Sequence, residues 1–379
     1  MTTRRSVIEL LAGGGAACLV SGCAPKPDID PVAAWRDAGA GERDPRRWAL
    51  AHAILAPNPH NRQPWLVDLP GTDEIVFYAD TARMLPATDP PNRQITVGCG
   101  AFLELLNLAA CERGLRADMA IWPEGEPQPL LDQRPIARIR FVSDATVKPD
   151  PLFRHVLKRQ TNRVAFDLKQ PPSAADLATL MSVAAAPLSS GSVSAPADLA
   201  RTIDIGARGF AREMTTPKTA LETANLTRIG ATEIARHRDG ISLQGPFLEG
   251  MAAVGLLSRK AMADPDSYAT RSAIDMFGKV IKATSAFIWI KGPDNSRATQ
   301  IAAGRAYARL NLTATALGLS IQPWSMTLQE FPEMAGLYQE TQAALGATPD
   351  APLQMLARIG HAKPGPTSPR RGLAEHIRA

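Results

Sequence analysis

The sequence predicts an α+β fold built from two related halves within one chain. The first observation is an internal repeat: residues 100–115 align without gaps on residues 304–319, and seven of the sixteen positions are identical. The second is that each copy leads into a proline-containing run with strand character, residues 120–123 and 321–324. The third is the alternation of apolar and polar residues at 136–142, which is typical of a strand.

The halves and their connections divide the chain into four parts. We place a signal at residues 1–22, a Pro- and Asp-rich tether at 23–44, a first half at 45–148 and a second half at 149–379. The second half carries a helical insertion at about 201–291, because this stretch has helical periodicity and no counterpart in the first half. Two interpretations of the insertion stay open, a lid over a binding site or an ordinary helical addition.

Within the insertion, helical periodicity is strongest at residues 220–234 and 273–290. A polar break at residues 237–246 separates these two runs. Residues 94–115 form a long apolar run with small residues, which predicts a buried central helix closely packed on its neighbours.

The N-terminus has the pattern of a targeting segment. Arg4 and Arg5 form a twin-arginine start, and the apolar run at residues 10–20 is too short to cross a bilayer as a helix. Residues 20–23 resemble a lipobox that ends in Cys23. We expect export by the twin-arginine route, lipid anchoring at Cys23 and a periplasmic or cell-envelope location; an ordinary secretory signal is the alternative. Since the twin-arginine route carries folded proteins, it suits a protein that acquires a cofactor before export.

Composition excludes several other classes. The formal charge of +5 is spread along 379 residues without a Lys/Arg block, so we expect no nucleic-acid partner. No Cys/His cluster has metal-ligand spacing, and we expect no metal. Cys99 and Cys111 lie twelve residues apart on the predicted central helix, about 18 Å, which is too far for a disulfide. Glycine-rich dinucleotide, Walker and serine-hydrolase motifs do not occur.

The most informative stretch is residues 56–65, Ala-Pro-Asn-Pro-His-Asn-Arg-Gln-Pro-Trp. It joins a helical run at 46–55 to a strand-like run at 75–78. Three prolines end the helix and restrict the residues before them, so the loop is rigid. A rigid loop with several side-chain amides suits a flat polar ligand. An ordinary connection that buries a tryptophan is the alternative.

This loop resembles the A-P-S-x-x-N-x-Q-P-W loop of the nitroreductase-like flavin oxidoreductases, with Asn58 in place of serine. In that family the loop touches FMN across a dimer interface. The resemblance implies FMN contacts from the side chains or backbone of Asn58, Pro59, His60, Asn61 and Gln63. The corresponding segment of the second half, residues 186–191, lacks the amides and the tryptophan. A family dimer has two FMN sites, and we therefore expect this chain to keep only one of them.

A second cluster, Arg159-Gln-Thr161-Asn162-Arg163, is similar to the R-x-S-x-[KR] motif of the same family. Guanidinium and hydroxyl groups are suitable donors to a phosphate. The resemblance implies that Arg159 and Thr161 bind the FMN phosphate, that Asn162 lies in the site, and that Arg163 lies near N1 and O2 of the flavin ring. A solvated basic turn is the alternative.

Two C-terminal elements complete the resemblance. An apolar strand-like run at residues 356–360 precedes Arg370 and Arg371, at the place where family members hold the FMN phosphate. Pro323, Trp324 and Ser325 correspond to a turn that offers backbone N–H groups to the N5/O4 edge, although the usual acidic–glycine pair is absent. Trp324 caps the ring or fills the core.

The order of these motifs is similar to that of the Acg-type tandem branch, in which two subunits are fused. The resemblance implies a monomeric pseudo-dimer that binds FMN and passes electrons to a small electrophile, such as a nitroaromatic or a quinone. No catalytic side chain is implied, because the flavin carries the redox chemistry. Two alternatives stay open: an FMN-storage protein with little turnover, and a non-catalytic surface lipoprotein on the same fold.

Overall fold

The computed structural model describes residues 29–378, so the predicted signal and Cys23 lie outside the described residues. The first half contains helices α1, α2 and α3 and strands β1–β4. In chain order these are α1 (Ala33–Arg36), α2 (Pro45–Ala53), β1 (Trp65–Asp68), β2 (Glu74–Ala79), α3 (Arg93–Glu112), β3 (Leu115–Ile121) and β4 (Pro135–Ser143). The four strands form an antiparallel sheet in the order β1-β2-β4-β3.

The second half has a sheet of the same kind. Its first elements are α4 (Ala174–Met181) and β5 (Ser189–Val193). A long connection follows, with α5 (Pro196–Thr215), α6 (Pro217–Leu226), β6 (Thr227–Ile229), α7 (Gly230–His237), β7 (Ile241–Leu243), α8 (Pro246–Ala253), α9 (Arg259–Ala263) and α10 (Tyr268–Lys282). The half ends with β8 (Ala286–Lys291), α11 (Arg297–Ala316), β9 (Ser320–Pro323), α12 (Ala335–Ala344) and β10 (Leu353–Gly360).

The two sheets share one connectivity. The second sheet is antiparallel in the order β5-β8-β10-β9, which matches β1-β2-β4-β3 strand for strand along the chain. In each half a 20-residue helix, α3 or α11, joins the second strand to the third. The predicted α+β class is confirmed, and the repeated segments occupy equivalent positions in the two halves.

The halves differ in the connection between their first two strands. Residues 69–73 join β1 to β2, whereas residues 194–285, which we call the insertion, join β5 to β8. The predicted helix at 273–290 is wrong in its last residues, because helix α10 ends at Lys282 and residues 286–290 lie in β8. This apolar run, Ala-Phe-Ile-Trp-Ile, is hydrogen-bonded on both sides to β5 and β10 and is therefore a central strand.

Helices α3 and α11 cross at the two glycines that the repeat aligns, Gly100 and Gly304. A Cβ atom at Gly100 would lie 2.2 Å from the Ile301 carbonyl oxygen. One at Gly304 would lie 1.9 Å from the Val97 carbonyl oxygen. The contacts are reciprocal, since Ile301 corresponds to Val97 in the repeat. Only glycine permits this approach of the two backbones.

The first residue of each long helix reaches into the other half. Arg93 on α3 is buried and donates to the Gln354 carbonyl oxygen at 3.0 Å and to Glu330 at 2.7 Å. Arg297 on α11 is also buried and donates to the carbonyl oxygens of Pro91 and Pro129 at 2.7 and 2.8 Å. The alignment of the repeat therefore extends upstream to this arginine pair.

Helix α3 is the centre of the first half's core. Among residues 29–378 it is the one helix long and apolar enough to match a membrane span, but 83% of that window is buried inside the protein. Its burial beside α2, α11 and the first sheet accounts for the apolar composition. Cys99 and Cys111 are both free, which confirms that they do not form a bridge.

Candidate functional site

A cavity of about 400 Å³ lies between the two halves and beneath the insertion. The first half contributes the loop at residues 57–61 and one face of α3. The second half contributes the turn at 161–163, the end of β9 and the C-terminal tail near Arg370. Asn61 and Thr161, which are far apart in sequence, line this one cavity.

The structure brings nine of the fourteen predicted site residues to the cavity wall. They are Asn58, Pro59, His60, Asn61, Thr161, Arg163, Pro323, Ser325 and Arg370. The other five do not line it: Gln63, Arg159, Asn162, Trp324 and Arg371. Each of these five is buried.

The loop holds an unusual backbone conformation. His60, Asn61 and Gln63 have φ angles of 48°, 51° and 49°, in the left-handed region that non-glycine residues seldom adopt. The Asn58 side chain stabilises the loop, because its Oδ1 accepts from the Gln63 N–H at 2.7 Å and its Nδ2 donates to the Ala56 carbonyl at 3.1 Å. Such strain persists only where surrounding contacts impose it, and it is common at ligand sites.

The C-terminal tail, which belongs to the second half, holds this loop of the first half in place. Arg370 donates to Asn61 Oδ1 at 2.6 Å, and Asn61 Nδ2 donates to the Pro369 carbonyl at 3.0 Å. Beyond this contact the tail pairs with β1, where the Arg378 N–H donates to the Val67 carbonyl at 2.9 Å. The tail of the second half thus completes the wall that the first half begins.

Two buried arginines, Arg159 and Arg370, lie side by side at this corner. Both donate to the Leu55 carbonyl oxygen, at 2.7 and 3.2 Å, and both lie over the Trp35 ring. Among residues 29–378 neither forms an ion pair, and the Nε atom of each has no partner. Burial lowers the pKa of Arg159 to about 10, and burial with the charge of Arg159 lowers that of Arg370 well below its ordinary value. Two like charges buried side by side, without a counter-charge in the described part of the chain, are energetically costly, and a bound anion would offset this cost.

Gln63 and Arg371 bind each other instead of facing the cavity. Gln63 Oε1 accepts from the Arg371 N–H at 2.8 Å, and its Nε2 donates to the Arg238 carbonyl at 2.8 Å. The Arg371 guanidinium donates to the Gln63 carbonyl at 2.9 Å. The structure therefore gives these two residues a role in joining the loop, the tail and the insertion, in place of the predicted ligand contacts.

The remaining three residues support the site from behind. Asn162 Nδ2 donates to Ser320 Oγ and the Lys363 carbonyl at 3.0 and 2.8 Å, which holds the turn against the second sheet. Trp324 is fully buried in the core between α5, α10 and the sheet. Of its two predicted roles, capping the ring or filling the core, the structure shows the second. Arg159 lies behind Arg370 and adds positive charge without reaching the wall.

Several wall residues were not foreseen from the sequence. Gly98 on α3 packs against the loop, since a Cβ there would lie 3.3 Å from Asn58 Cβ. Gln94, Val97 and Tyr307 also line the cavity. These residues lie on α3 and α11, the two helices that carry the internal repeat. Gln322 begins the predicted turn that contains Pro323, and it lines the cavity as well.

The insertion supplies the apolar part of the wall. Its contribution includes Phe210 and Met214 on α5, Met262 on α9 and Met276 and Phe277 on α10. Flexible methionine side chains adapt to ligands of different shape. The cavity is therefore cationic at the Arg370 end and mainly apolar under the insertion.

Two carboxylates fasten the insertion to the first half. Glu222 on α6 accepts from the backbone N–H groups of Ala87 and Thr88 at 2.9 and 3.0 Å. Asp239 accepts from Arg228 at 2.8 Å and from Arg83 at 2.9 Å. Burial favours the neutral form of Asp239, but these two guanidinium groups hold the pKa of its carboxyl below the usual range.

Replacing Asp239 by Asn is expected to lower the free energy of unfolding by about 2 kcal/mol, because buried guanidinium groups lose their anion. The wild-type contribution is complete above the unfolded-state pKa of about 3.9 and is lost as the pH falls through the lower folded-state value. Urea unfolding at several pH values measures both effects. Asp204→Asn, which removes an exposed pair with Arg208, is the control and is expected to cost about 0.5 kcal/mol or less.

The site and fold define a class: an α+β protein with a cavity between two similarly connected halves, and buried arginines at one end of that cavity. No protein-family model matches the chain. It is 26% identical over 344 residues to the Acg protein of Mycobacterium tuberculosis, named as a candidate NAD(P)H nitroreductase, and the match covers 87% of this chain and 95% of that protein. An uncharacterised protein of the same organism is 30% identical over 122 residues, which cover 31% of this chain. The chain thus matches about a third of that relative, 35% of its length.

Two solved structures show more distant similarity. The FMN- and NADPH-dependent nitroreductase NfnB of Sphigopyxis sp. strain HMH is 19% identical with a TM-score of 0.37. The alignment covers 61% of this chain and 99% of NfnB. An iodotyrosine deiodinase bound to FMN and 3-iodo-L-tyrosine is 15% identical with a TM-score of 0.36, covering 58% of this chain and 95% of that one.

Proposed function

We propose that the protein is an FMN-dependent oxidoreductase of the nitroreductase type. The observation that carries the proposal is the pair of buried arginines, Arg159 and Arg370, beside the cavity that Asn61 and Thr161 share. The similarity to the candidate nitroreductase of Mycobacterium tuberculosis along nearly its whole length supports the same function.

The residues present fit the phosphate end of FMN. Arg370 lines the cavity, and its Nε has no hydrogen-bond partner within residues 29–378. Thr161 adds a hydroxyl group to the same wall. A phosphate here offsets the cost of burying two guanidinium groups side by side. Arg163 also lines the cavity and is available to the ring end of the cofactor.

FMN, when bound, supplies the redox chemistry, so the protein needs no nucleophile or general base of its own. The chain's residues bind the phosphate at Arg370, form one wall with the loop at residues 57–61, and cover the cavity with the apolar wall of the insertion. The side chains of Asn58 and Asn61 hold this loop in place. We assign a small electrophile, nitroaromatic or quinone-like, as the acceptor and the insertion as the lid.

The fused pseudo-dimer is part of the same proposal. It is supported by the shared strand order, by the crossing at Gly100 and Gly304, and by the reciprocal reach of Arg93 and Arg297. We propose a monomer with a single FMN site, exported by the twin-arginine route and anchored by a lipid at Cys23.

The test is the visible absorption spectrum of the protein purified after cytoplasmic expression. A flavin band in a stoichiometry of about one per chain supports the proposal, and a colourless protein that binds no added FMN contradicts it. Turnover is measured separately, by re-oxidation of the dithionite-reduced protein with a nitroaromatic. Bound flavin without re-oxidation by any acceptor indicates a storage protein instead of an enzyme.

A further inference from the structure

One carboxylate, Glu213 on α5, lines the cavity within the apolar wall of the insertion. It is 5% exposed. Its Oε2 accepts from Gln329 Nε2 at 2.8 Å, and its Oε1 accepts from Thr223 Oγ1 at 3.3 Å. Both donors are neutral.

Among residues 29–378, no guanidinium or ammonium group donates a hydrogen bond to the Glu213 carboxylate. His60 Nε2 lies 3.8 Å from Glu213 Oε1, which is beyond hydrogen-bonding distance. In the part of the chain that the structure describes, the guanidinium groups on the cavity wall are those of Arg163 and Arg370, which the proposed function assigns to FMN. With the cofactor in place, Glu213 is therefore the charge that a substrate under the insertion meets.

The surroundings of Glu213 strengthen this effect. Phe210 and Met214 flank it on α5, and Phe277 on α10 lines the same part of the cavity. A charge in an apolar, poorly hydrated wall interacts with a ligand charge more strongly than a charge in water does. Aromatic rings also favour a cationic group near their faces.

We propose that Glu213 makes the cavity select substrates by charge, so that aromatic molecules with an ammonium group bind best, uncharged ones bind less well and anionic ones are rejected. The proposal rests on the proposed function, since Arg163 and Arg370 are taken up by FMN. Glu213 is a specificity-determining residue contributed by the insertion, which has no counterpart in the first half.

Three ligands of matched size test the proposal: para-nitrobenzylamine, para-nitrobenzyl alcohol and para-nitrobenzoate, which are cationic, neutral and anionic near neutral pH. Each is titrated into the FMN-loaded protein by calorimetry. In the wild type we expect the amine to bind at least about 10-fold more tightly than the acid, with the alcohol between them. In Glu213→Gln the ratio of amine to acid affinity should fall to about threefold or less.

Two further variants separate charge from structure. Glu213→Asp keeps the charge and should keep the preference for the amine. Glu249→Gln removes an exposed carboxylate on α8 that does not line the cavity, and should leave the affinity order unchanged. The visible flavin band is recorded before each titration and reports the proposed function independently. A flavin-loaded wild type that binds acid and amine equally, or a Glu213→Gln variant that keeps the tenfold preference, overturns the charge selection.

Discussion

Replacing Arg370 by Gln is expected to weaken FMN binding by about 100-fold, or about 2.7 kcal/mol. The variant lacks the guanidinium group that the proposed function assigns to the FMN phosphate. It also removes the donor to Asn61 Oδ1, and with it the contact that fastens the loop at residues 57–61 to the tail. Titration of the apoprotein with FMN, followed by quenching of the flavin fluorescence, measures the change in the dissociation constant.

Arg371→Gln is the matched control for this experiment. Arg371 is the next residue and is equally buried, but its guanidinium donates to the Gln63 carbonyl and it does not line the cavity. We expect its FMN affinity to stay within about threefold of the wild type. Equal losses in the two variants, with unchanged melting temperatures, would show that general positive charge and not the Arg370 contact holds the anion.

Gly304→Ala is expected to destabilise the protein by about 3 kcal/mol or more. The new methyl group would lie 1.9 Å from the Val97 carbonyl oxygen and 2.9 Å from Gly100 Cα. Both contacts are backbone atoms of a buried helix, so α3 and α11 must move apart along their whole crossing. Because these helices join the two halves, chemical unfolding followed by circular dichroism should show the loss directly.

A second glycine-to-alanine change separates this clash from helix propensity. Gly278 lies in the middle of α10, and a Cβ there would meet no atom within 4 Å. Gly278→Ala is expected to raise the free energy of unfolding by about 0.5 to 1 kcal/mol, since alanine favours a helix over glycine. If both variants shift stability in the same direction, the close crossing at Gly304 is not the cause.

The central helix and the repeat were predictable because both depend on local pattern. Residues 94–115 combine apolar and small residues, and that composition matches the burial of α3. The alignment of residues 100–115 with 304–319 places the two glycines in register, and they meet in the structure. The apolar run at 286–290 was predicted as helix but forms part of strand β8. A short apolar run suits a buried strand as well as a helix, so the pattern alone does not distinguish them.

The candidate site was predictable in its location and less so in its contacts. The loop at residues 57–61, the turn at 161–163 and Arg370 meet at one cavity, as their types and order suggested. Gln63 and Arg371 have the same chemistry as their neighbours, yet they bind each other and the insertion. Local sequence does not distinguish an amide that faces a ligand from one that fastens two loops.

By itself the sequence determined the α+β class, the internal repeat, the central helices and the segments that meet at the cavity. These follow from periodicity, small residues and side-chain chemistry, which act over a few residues. Only the tertiary structure decided that Arg159 stands behind Arg370, that the insertion forms the apolar wall, and that Glu213 faces the cavity. Each of these depends on how segments more than 40 residues apart in the chain come together. Packing and burial determine that arrangement, and a local sequence pattern contains no information about it.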